Sequence, residues 1–252
     1  VLGAIFFTFQ IYGDFSGYSD IAIGTSRLFG FNLKQNFATP YFSRDIAEFW
    51  RRWHISLSTW FRDYLYIPLG GSRGSGWMKV RNTFAIFLVS GFWHGANWTF
   101  IIWGALNAFY FLPLLLSGNN RKNLGIVAEG KLLPSLKDLI GMITTFTLTV
   151  FAWIFFRAEN LSHALSYIGT IFSESIFEFP EFINAKKSIL VLLTIIFLIL
   201  IEWVGRKDKF ALQLLTKQSK LFRYSTYLII SIITFEFLFN LKDSQEFIYF
   251  QF

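Results

Sequence analysis

The stretch that decides the fold of this chain lies at residues 83–116 and reads TFAIFLVSGFWHGANWTFIIWGALNAFYFLPLLL. It contains no Asp, Glu, Lys or Arg. As one helix it would be about 50 Å long, which exceeds a hydrocarbon core of about 30 Å. We therefore expect two helices that meet near His94. Gly91 and Gly95 weaken a helix at this point, and Asn97 can cap the second one.

The composition of the whole chain is also that of a membrane protein. Of its 252 residues, 54% are hydrophobic, 21% are aromatic and 15% are charged, whereas a soluble domain carries about 25% charged residues. Three more segments have the length and character of spanning helices: residues 139–156, 188–205 and 224–241. The opening residues 1–12 resemble the end of a fourth span, and residues 16–31 are expected to continue it as a Gly-broken helix.

These patterns predict an all-α fold: a polytopic helical membrane protein with re-entrant or broken helices around a central cavity. We expect one membrane-embedded domain over residues 1–252. It would contain a motif region at 12–116 and three C-terminal helices within 139–241. The sequence opens on Val1 in an apolar stretch with no charged region before it, which argues against a signal peptide. We expect this segment to be the interior of a longer protein that has a further N-terminal part.

Lys and Arg are concentrated in three of the four connecting segments, residues 62–81, 117–138 and 206–223. Residues 157–187 carry four Glu and only three basic residues. Segments rich in Lys and Arg stay in the cytoplasm, so the first three are predicted to be cytoplasmic and the fourth external. The apolar run then begins and ends on the cytoplasmic side. We expect His94, at its bend, to lie deep in the protein and to line a water-filled cavity.

Residues 46–62 predict a strongly amphipathic helix. Asp45 and Glu48 have the spacing of a capping box, so we expect the helix to begin near Asp45. Glu48 lies three or four residues before Arg51 and Arg52 and can pair with either. On a helical wheel the apolar face carries Ile46, Phe49, Trp50, Trp53, Leu57, Trp60 and Phe61.

Two roles fit this helix about equally well. It can lie at the cytoplasmic surface, with Arg51 and Arg52 on anionic lipid headgroups. It can also line a cytoplasmic vestibule in which the two arginines attract an anionic donor, such as the phosphates of a coenzyme. His54 lies at the seam between the faces, where a structural histidine and a functional one both fit.

The remaining histidines differ in their surroundings. His94 lies inside an apolar run, where ionisable residues usually face a cavity and serve function; the alternative is a core histidine bonded to Asn97 or to a carbonyl. His163 is expected at the surface outside the membrane. The absence of cysteine excludes disulfides, Cys-bound metals and Cys nucleophiles within these residues, and we expect no metal site. Nucleic acid is not an expected partner, because the net charge of +7 is divided among loops.

Four motifs, in order, resemble the membrane-bound O-acyltransferase family, in its bacterial alginate O-acetylation branch. They are YGDFSGYSDIAIGTSRLFGF (residues 12–31), NFATPYFSRDIAEFWRRWHISLSTWFRDYLYIPLGG (36–71), GFWHGANWTFIIWG (91–104) and FAWIFFRAENLSHAL (151–165). The pairing of RWHIS with WHG about forty residues later is specific, whereas WHG alone would be weak. The teichoic-acid D-alanylation branch shares part of the second motif, but YIPLGGSRG favours polysaccharide acetylation.

The resemblance implies a funnel on each face of a helical bundle and transfer of an acyl group, usually acetyl, to a hydroxyl outside the bacterial inner membrane, in which the protein is multi-pass. His94 matches the histidine held to be catalytic in the family, as a general base or a covalent acyl carrier, and His54 matches its second histidine. We expect the donor-binding or cavity-lining residues to be Asp14, Tyr18, Glu48, Trp50, Arg51, Arg52, Trp53, Trp93, Asn97 and Trp98.

Partners follow from the same resemblance. We expect acetyl-CoA as donor substrate with no bound cofactor, an extracytoplasmic polysaccharide as acceptor, membrane lipid around the chain, and a periplasmic or surface acetyltransferase of the SGNH type that finishes the transfer. Two other functions stay open. Broken helices and buried ionisable residues also occur in transporters and channels. The chain could also be a non-catalytic scaffold that anchors the extracytoplasmic acetyltransferase.

Overall fold

The computed structural model describes residues 1–174 and 185–240, and within them it is helical with no strand. The all-α prediction is confirmed. The chain divides into two compact units, Val1–Glu181 and Phe182–Phe252. The described helices of the first unit are α1 (Leu2–Leu28), α2 (Ile46–Arg52), α3 (Ile55–Phe61), α4 (Gly76–His94), α5 (Trp98–Leu116), α6 (Leu136–Arg157) and α7 (Leu161–Ile171), and those of the second are α8 (Ala185–Gly205) and α9 (Lys220–Asn240).

Helix α1 is continuous over 27 residues. Residues 16–28 thus continue the opening helix as expected, but the glycines do not break it. Its glycines at 13, 17 and 24 have no neighbouring atom within 4 Å of a built Cβ. An isolated glycine costs a helix only about 1 kcal/mol, which packing of Ile11 and Tyr12 in the core offsets. The helix packs against α6 and ends at Leu28, two residues before Gly30, whose φ of +82° is left-handed.

Helices α4 and α5 form the predicted hairpin. The chain breaks between His94 and Trp98, and the Asn97 side chain accepts a hydrogen bond from the backbone of Thr99 at 3.1 Å, as expected of a cap. Gly91 does not end α4, which continues to His94. It lies inside the helix, where a Cβ would overlap with the carbonyl oxygen of Phe100. Gly91 therefore allows the two helices of the hairpin to approach closely.

The segment from Asp45 to Phe61 contains two short helices, so the prediction of one amphipathic helix is wrong. Helix α2 begins as expected at Asp45, whose carboxylate accepts from the backbone of Glu48 at 2.7 Å. The chain turns at Trp53 and His54 before α3 begins. A single π-helical turn, Arg62–Tyr66, follows α3 directly. The wheel drawn through both helices therefore misplaces every residue after the turn.

Among the described residues, three helices are long and apolar enough to cross a membrane: Trp98–Leu116, Leu136–Arg157 and Ser188–Gly205. They include two of the predicted segments, residues 139–156 and 188–205. The third, residues 224–241, is helical as α9 but is not one of these three, and residue 241 lies outside the described residues. Part of the predicted external segment, residues 175–184, also lies outside them.

Candidate functional site

His94 is the last residue of α4 and is half-buried among aromatic rings. Its imidazole lies edge-on to the ring of Phe156 with centroids 4.9 Å apart, and edge-on to Trp103 at 5.3 Å. The ring of Trp93 is 4.9 Å away on another side. Trp93 thus contacts the imidazole, whereas Asn97 caps the next helix.

The turn that follows His94 is hydrogen-bonded to the connection at the end of α6. The Asn97 side chain donates a hydrogen bond to the carbonyl oxygen of Glu159, 2.8 Å away, in the connection between α6 and α7. A Cβ at Gly95 would come within 2.6 Å of the Phe100 ring. Trp98 is exposed. These contacts fix the turn and with it the direction of the imidazole.

His54 occupies the turn between α2 and α3 with a left-handed backbone, φ +45°. Non-glycine residues seldom adopt this conformation, and where they do the surroundings must hold them in it. Asn36 does so here: its carbonyl accepts from Ile55 N, and its side-chain oxygen accepts from Ser56 N and Oγ at 3.1 and 2.6 Å. The imidazole packs edge-on to Phe15 at 4.7 Å. Its Nδ1 is buried and has no hydrogen-bond partner within the described part of the chain.

One aromatic cluster connects the two histidines. The connection runs from His54 through Phe15, Phe37, Trp53, Trp153 and Trp103 to His94, with successive ring centroids between 4.7 and 5.7 Å apart. Trp53, predicted to line a cavity, lies inside this cluster. The cluster is the core of the first unit, and it holds both imidazoles in fixed positions.

A cavity of about 520 Å³ opens between α2, α3, α4, α5 and the segment after α5. Three arginines line it, Arg51, Arg62 and Arg121, and no carboxylate does among the described residues. Arg62 is paired with Asp63 next to the cavity, so the positive charge of the wall that can attract an anionic ligand comes mainly from Arg51 and Arg121. The other lining residues are Ala47, Trp50, Leu57, Ser58, Phe61, Tyr66, Ser72, Thr83, Ile86, Phe87, Ser90, Phe111, Leu115, Asn120 and Leu124.

The cavity lies in the direction of His94. Thr83, Phe87 and Ser90 line it from one face of α4, and His94 is the next residue on that face, four positions after Ser90. In a helix this spacing corresponds to about 6 Å along the axis. His94 itself is not part of the cavity wall.

Glu48 and two arginines form a buried ion cluster. The Glu48 carboxylate is 1% exposed and accepts from Arg44 Nη2 at 2.9 Å and from Arg52 Nη2 at 2.8 Å. It also accepts from the backbone of Arg44 at 2.8 Å. The hydrogen bond from Arg44 to this carboxylate is the main cause that raises the pKa of Arg44. The predicted pair of Glu48 with Arg52 is confirmed, and its burial was not foreseen.

The arginines of α2 also hold the segment after α5. Arg51 donates to the carbonyl oxygens of Asn120 and Asn123 at 2.8 and 2.9 Å. Arg52 uses all three guanidinium nitrogens on Glu48 and on the carbonyls of Ala38 and Gly125. Arg51 lines the cavity, whereas Arg52 does not. The guanidinium group of Arg52 is bonded to groups in the protein interior.

Of the ten residues expected to bind the donor or to line a cavity, Trp50 and Arg51 line the cavity of 520 Å³. The other eight, which are Asp14, Tyr18, Glu48, Arg52, Trp53, Trp93, Asn97 and Trp98, do not. Asp14 is half-buried on α1 and Tyr18 is exposed one turn later, and neither belongs to the wall of the 520 Å³ cavity. His163 is exposed as predicted; it lines a separate cavity of about 320 Å³ with Arg157 and Tyr167. Within the described ranges, no group of three or more His, Asp or Glu side chains is placed to hold a metal ion.

Sequence reasoning missed Asn36, Arg44 and the segment at residues 120–125. Asn36 and Arg44 lie before the amphipathic pattern, and their role depends on contacts with residues that follow it. Asn36 is the first residue of the motif NFATPYF, and the motif by itself indicates no role for it. The Arg-binding carbonyls of residues 120–125 belong to the backbone, so no side-chain pattern marks them.

Fold and site together define a class: an all-α membrane protein in which histidines lie in an aromatic core beside an arginine-lined cavity. The chain belongs to the membrane-bound O-acyltransferase family, whose model matches residues 1–137. The resemblance found in the motifs is thereby confirmed.

Individual relatives extend this kinship. The chain is 44% identical over 220 residues to the probable alginate O-acetylase of Pseudomonas aeruginosa, which covers 87% of this chain and 40% of the relative. It is 39% identical over 198 residues to the peptidoglycan O-acetyltransferase of Helicobacter pylori, covering 76% and 36%. With the teichoic acid D-alanyltransferase of Bacillus subtilis it shares 30% over 171 residues, covering 62% and 40%. The chain thus spans about two fifths of the length of the curated relatives it matches.

Proposed function

We propose that this chain carries the reaction centre of an O-acyltransferase. The enzyme would move an acyl group, in the first place acetyl, from a cytoplasmic thioester donor to a hydroxyl on the other side of the membrane. The observation that carries the proposal is the position of His94, which is the next residue on the α4 face that lines the arginine-lined cavity. Kinship with proteins named O-acetylase and O-acetyltransferase supports the same chemistry.

His94 acts as general base in the proposed reaction. An imidazole nitrogen takes the proton of the acceptor hydroxyl while the hydroxyl oxygen attacks the thioester carbonyl carbon. A C–O bond forms, the C–S bond breaks, and the imidazolium returns the proton to the departing thiolate. The products are an ester and a free thiol. General base catalysis contributes about 10²–10⁴-fold, and the aromatic rings around His94 keep water from the thioester.

The donor in this proposal is acetyl-CoA, which enters through the 520 Å³ cavity. Its phosphates would contact Arg51, Arg62 and Arg121, because these three guanidinium groups line the wall. Arg52 has no role in donor binding here, since it does not line the cavity and pairs with the buried carboxylate of Glu48. His54 would orient the donor: its Nδ1 is buried and has no partner within the described part of the chain.

The proposed acceptor is a hydroxyl of an extracytoplasmic polysaccharide, reached directly or through a partner transferase of the SGNH type. The relatives named for alginate and for peptidoglycan support this choice. We place the protein in the bacterial inner membrane with residues 62–81, 117–138 and 206–223 in the cytoplasm. Arg51 binds the backbone of residues 120 and 123. This contact agrees with a position of α2 on that same side.

The test measures acyl transfer by the protein made from its whole reading frame. Purified protein in detergent is supplied with radiolabelled acetyl-CoA and an oligosaccharide acceptor, and released CoA and acetylated sugar are counted. The His94→Ala variant should lose at least a hundredfold in turnover. The matched control, His163→Ala, should keep the wild-type rate. Wild-type turnover in His94→Ala, or solute flux without any acyl transfer by the wild type, would overturn the proposal.

A further inference from the structure

Trp50 separates the arginine-lined cavity from His94. Its indole lines the cavity and packs edge-on to Phe87 at 5.6 Å and to Trp103 at 5.7 Å. Trp103 is 2% exposed and lies edge-on to His94 at 5.3 Å on its other side. Trp50 and Trp103 thus lie one behind the other between the cavity and the imidazole.

We infer that Trp50 is a specificity-determining residue, whose side chain limits the acyl group to a short chain. The inference rests on the proposed function and deepens it. A reacting carbonyl carbon has to come within about 3–3.5 Å of the attacking atom, so the acyl group of a donor must enter the space beside His94. Trp103 lies between Trp50 and His94, and Trp50 is the indole of this pair that lines the cavity. A donor that comes from the cavity therefore meets Trp50 first, and its acyl group has room only to the extent that this indole leaves it.

The Trp50 side chain also has a buried polar atom, Nε1, without a hydrogen-bond partner within the described ranges. A buried N–H without a partner is costly in an apolar core, and the indoles of buried Trp residues usually donate. An acyl carbonyl oxygen that passes Trp50 can accept this hydrogen bond. Trp50 would therefore restrict the size of the acyl group and orient its carbonyl.

Two substitutions separate these effects. Trp50→Ala removes the bulk and the N–H, whereas Trp50→Phe keeps an aromatic ring and removes only the donor. Trp77→Ala is the matched control, because Trp77 is 74% exposed and does not line the cavity. Each protein is made from its whole reading frame, and kcat/KM is measured with acetyl-CoA and with butyryl-CoA. The readout is the ratio of the two values, which is independent of the fraction of active protein.

The expected results differ for each variant. Trp50→Ala should raise the butyryl-to-acetyl ratio at least tenfold, because one methylene in an apolar pocket is worth roughly 10–200-fold. Trp50→Phe should lower both values by about tenfold or more and leave the ratio within about threefold of wild type. Trp77→Ala should change neither.

An unchanged ratio in Trp50→Ala would overturn the inference, as would an equal rise in Trp77→Ala. If Trp50→Ala melts well below the wild type, Trp50→Leu is measured instead, because Leu retains much of the apolar packing. It should raise the ratio by several-fold, and an unchanged ratio in that variant would also overturn the inference. If the wild type transfers neither acyl group, the proposed function itself fails.

Discussion

The carboxylate of Glu48 lies 2.8 Å from the guanidinium of Arg52 at a position where Glu48 is 1% exposed. Arg44 approaches the same carboxylate from the preceding turn at 2.9 Å. Both arginines also donate to the carbonyl oxygen of Gly125. The buried carboxylate of Glu48 thus holds the guanidinium groups of Arg44 and Arg52 in place. These two groups in turn hold the segment after α5 at the edge of the cavity.

Replacing Glu48 by Gln should destabilise the protein strongly. The substitution leaves Arg44 and Arg52 without their shared anion, and breaking a buried pair from one side costs about 3–5 kcal/mol. Asp138 is 4.0 Å from Arg44 and can replace little of this interaction. The measurement is the melting temperature of the variant in detergent.

The control for this substitution is Asp63→Asn. Asp63 pairs with Arg62 at 2.7 Å on the surface, and exposed pairs contribute little to stability. We expect no measurable change in melting temperature. Equal melting temperatures for Glu48→Gln and the wild type would contradict the structural role of the cluster.

Local signals in the sequence predicted those parts of the structure that depend on local interactions. Asp45 and Asn97 cap helices as their positions indicated, and the apolar hairpin bends at the expected place. The turn at His54 depends instead on Asn36, which is distant in sequence. The stretch WRRWHISLS contains neither Gly nor Pro to mark a turn, so the local sequence does not indicate the break that these tertiary hydrogen bonds hold.

In the candidate site, too, the features that depend on local sequence could be predicted, and those that depend on tertiary contacts could not. His94 stands out in the sequence because an imidazole inside an apolar run is unusual. Glu48 was expected on the polar face, and its burial depends on Arg44, which lies before the pattern, and on the backbone of Gly125. Roles of this kind depend on segments that meet only in the folded protein.

Replacing Asn36 by Ala should weaken the turn that holds His54. The variant loses the cap on the first turn of α3, for which losses of about 0.5–2 kcal/mol are typical, and His54 loses part of its support. We expect a lower melting temperature and a fall in acyl transfer of several-fold. Asn119→Ala is the control, since Asn119 is exposed and its side chain bonds only Ser117 among the described residues. An effect no larger than that of the control would contradict the assignment.

Gly91→Ala should separate α4 from α5. The new Cβ would overlap with the Phe100 carbonyl oxygen, which is backbone and cannot rotate away, and overpacking typically costs about 1–3 kcal/mol. Since His94 follows one turn later, activity should fall with stability. Gly17→Ala on α1 is the matched control: no atom lies within 4 Å of its Cβ, and the better helix former should stabilise by up to about 1 kcal/mol. Similar melting temperatures for the two variants would show that the close approach is unimportant.

The arginines of the cavity should act on donor binding more than on turnover. Arg51→Ala should raise the KM for acetyl-CoA more than it lowers kcat, because the guanidinium is remote from His94 and attracts an anionic donor in ground state and transition state alike. Arg51 also holds residues 120 and 123, so this variant alone does not separate charge from loop position. Arg121→Ala does: Arg121 lines the same cavity, and no hydrogen bond to it is found among the described residues.

The dependence of KM on ionic strength provides a second test of donor binding by these arginines. If charge attracts the donor, KM should rise with ionic strength in the wild type and rise less steeply in Arg121→Ala, because one screened interaction is already absent. Arg121→Lys keeps the charge and should restore most of the wild-type KM. A fall in kcat at unchanged KM, or the same salt dependence in all three proteins, would mean that the arginines hold the fold around the cavity and do not bind the donor.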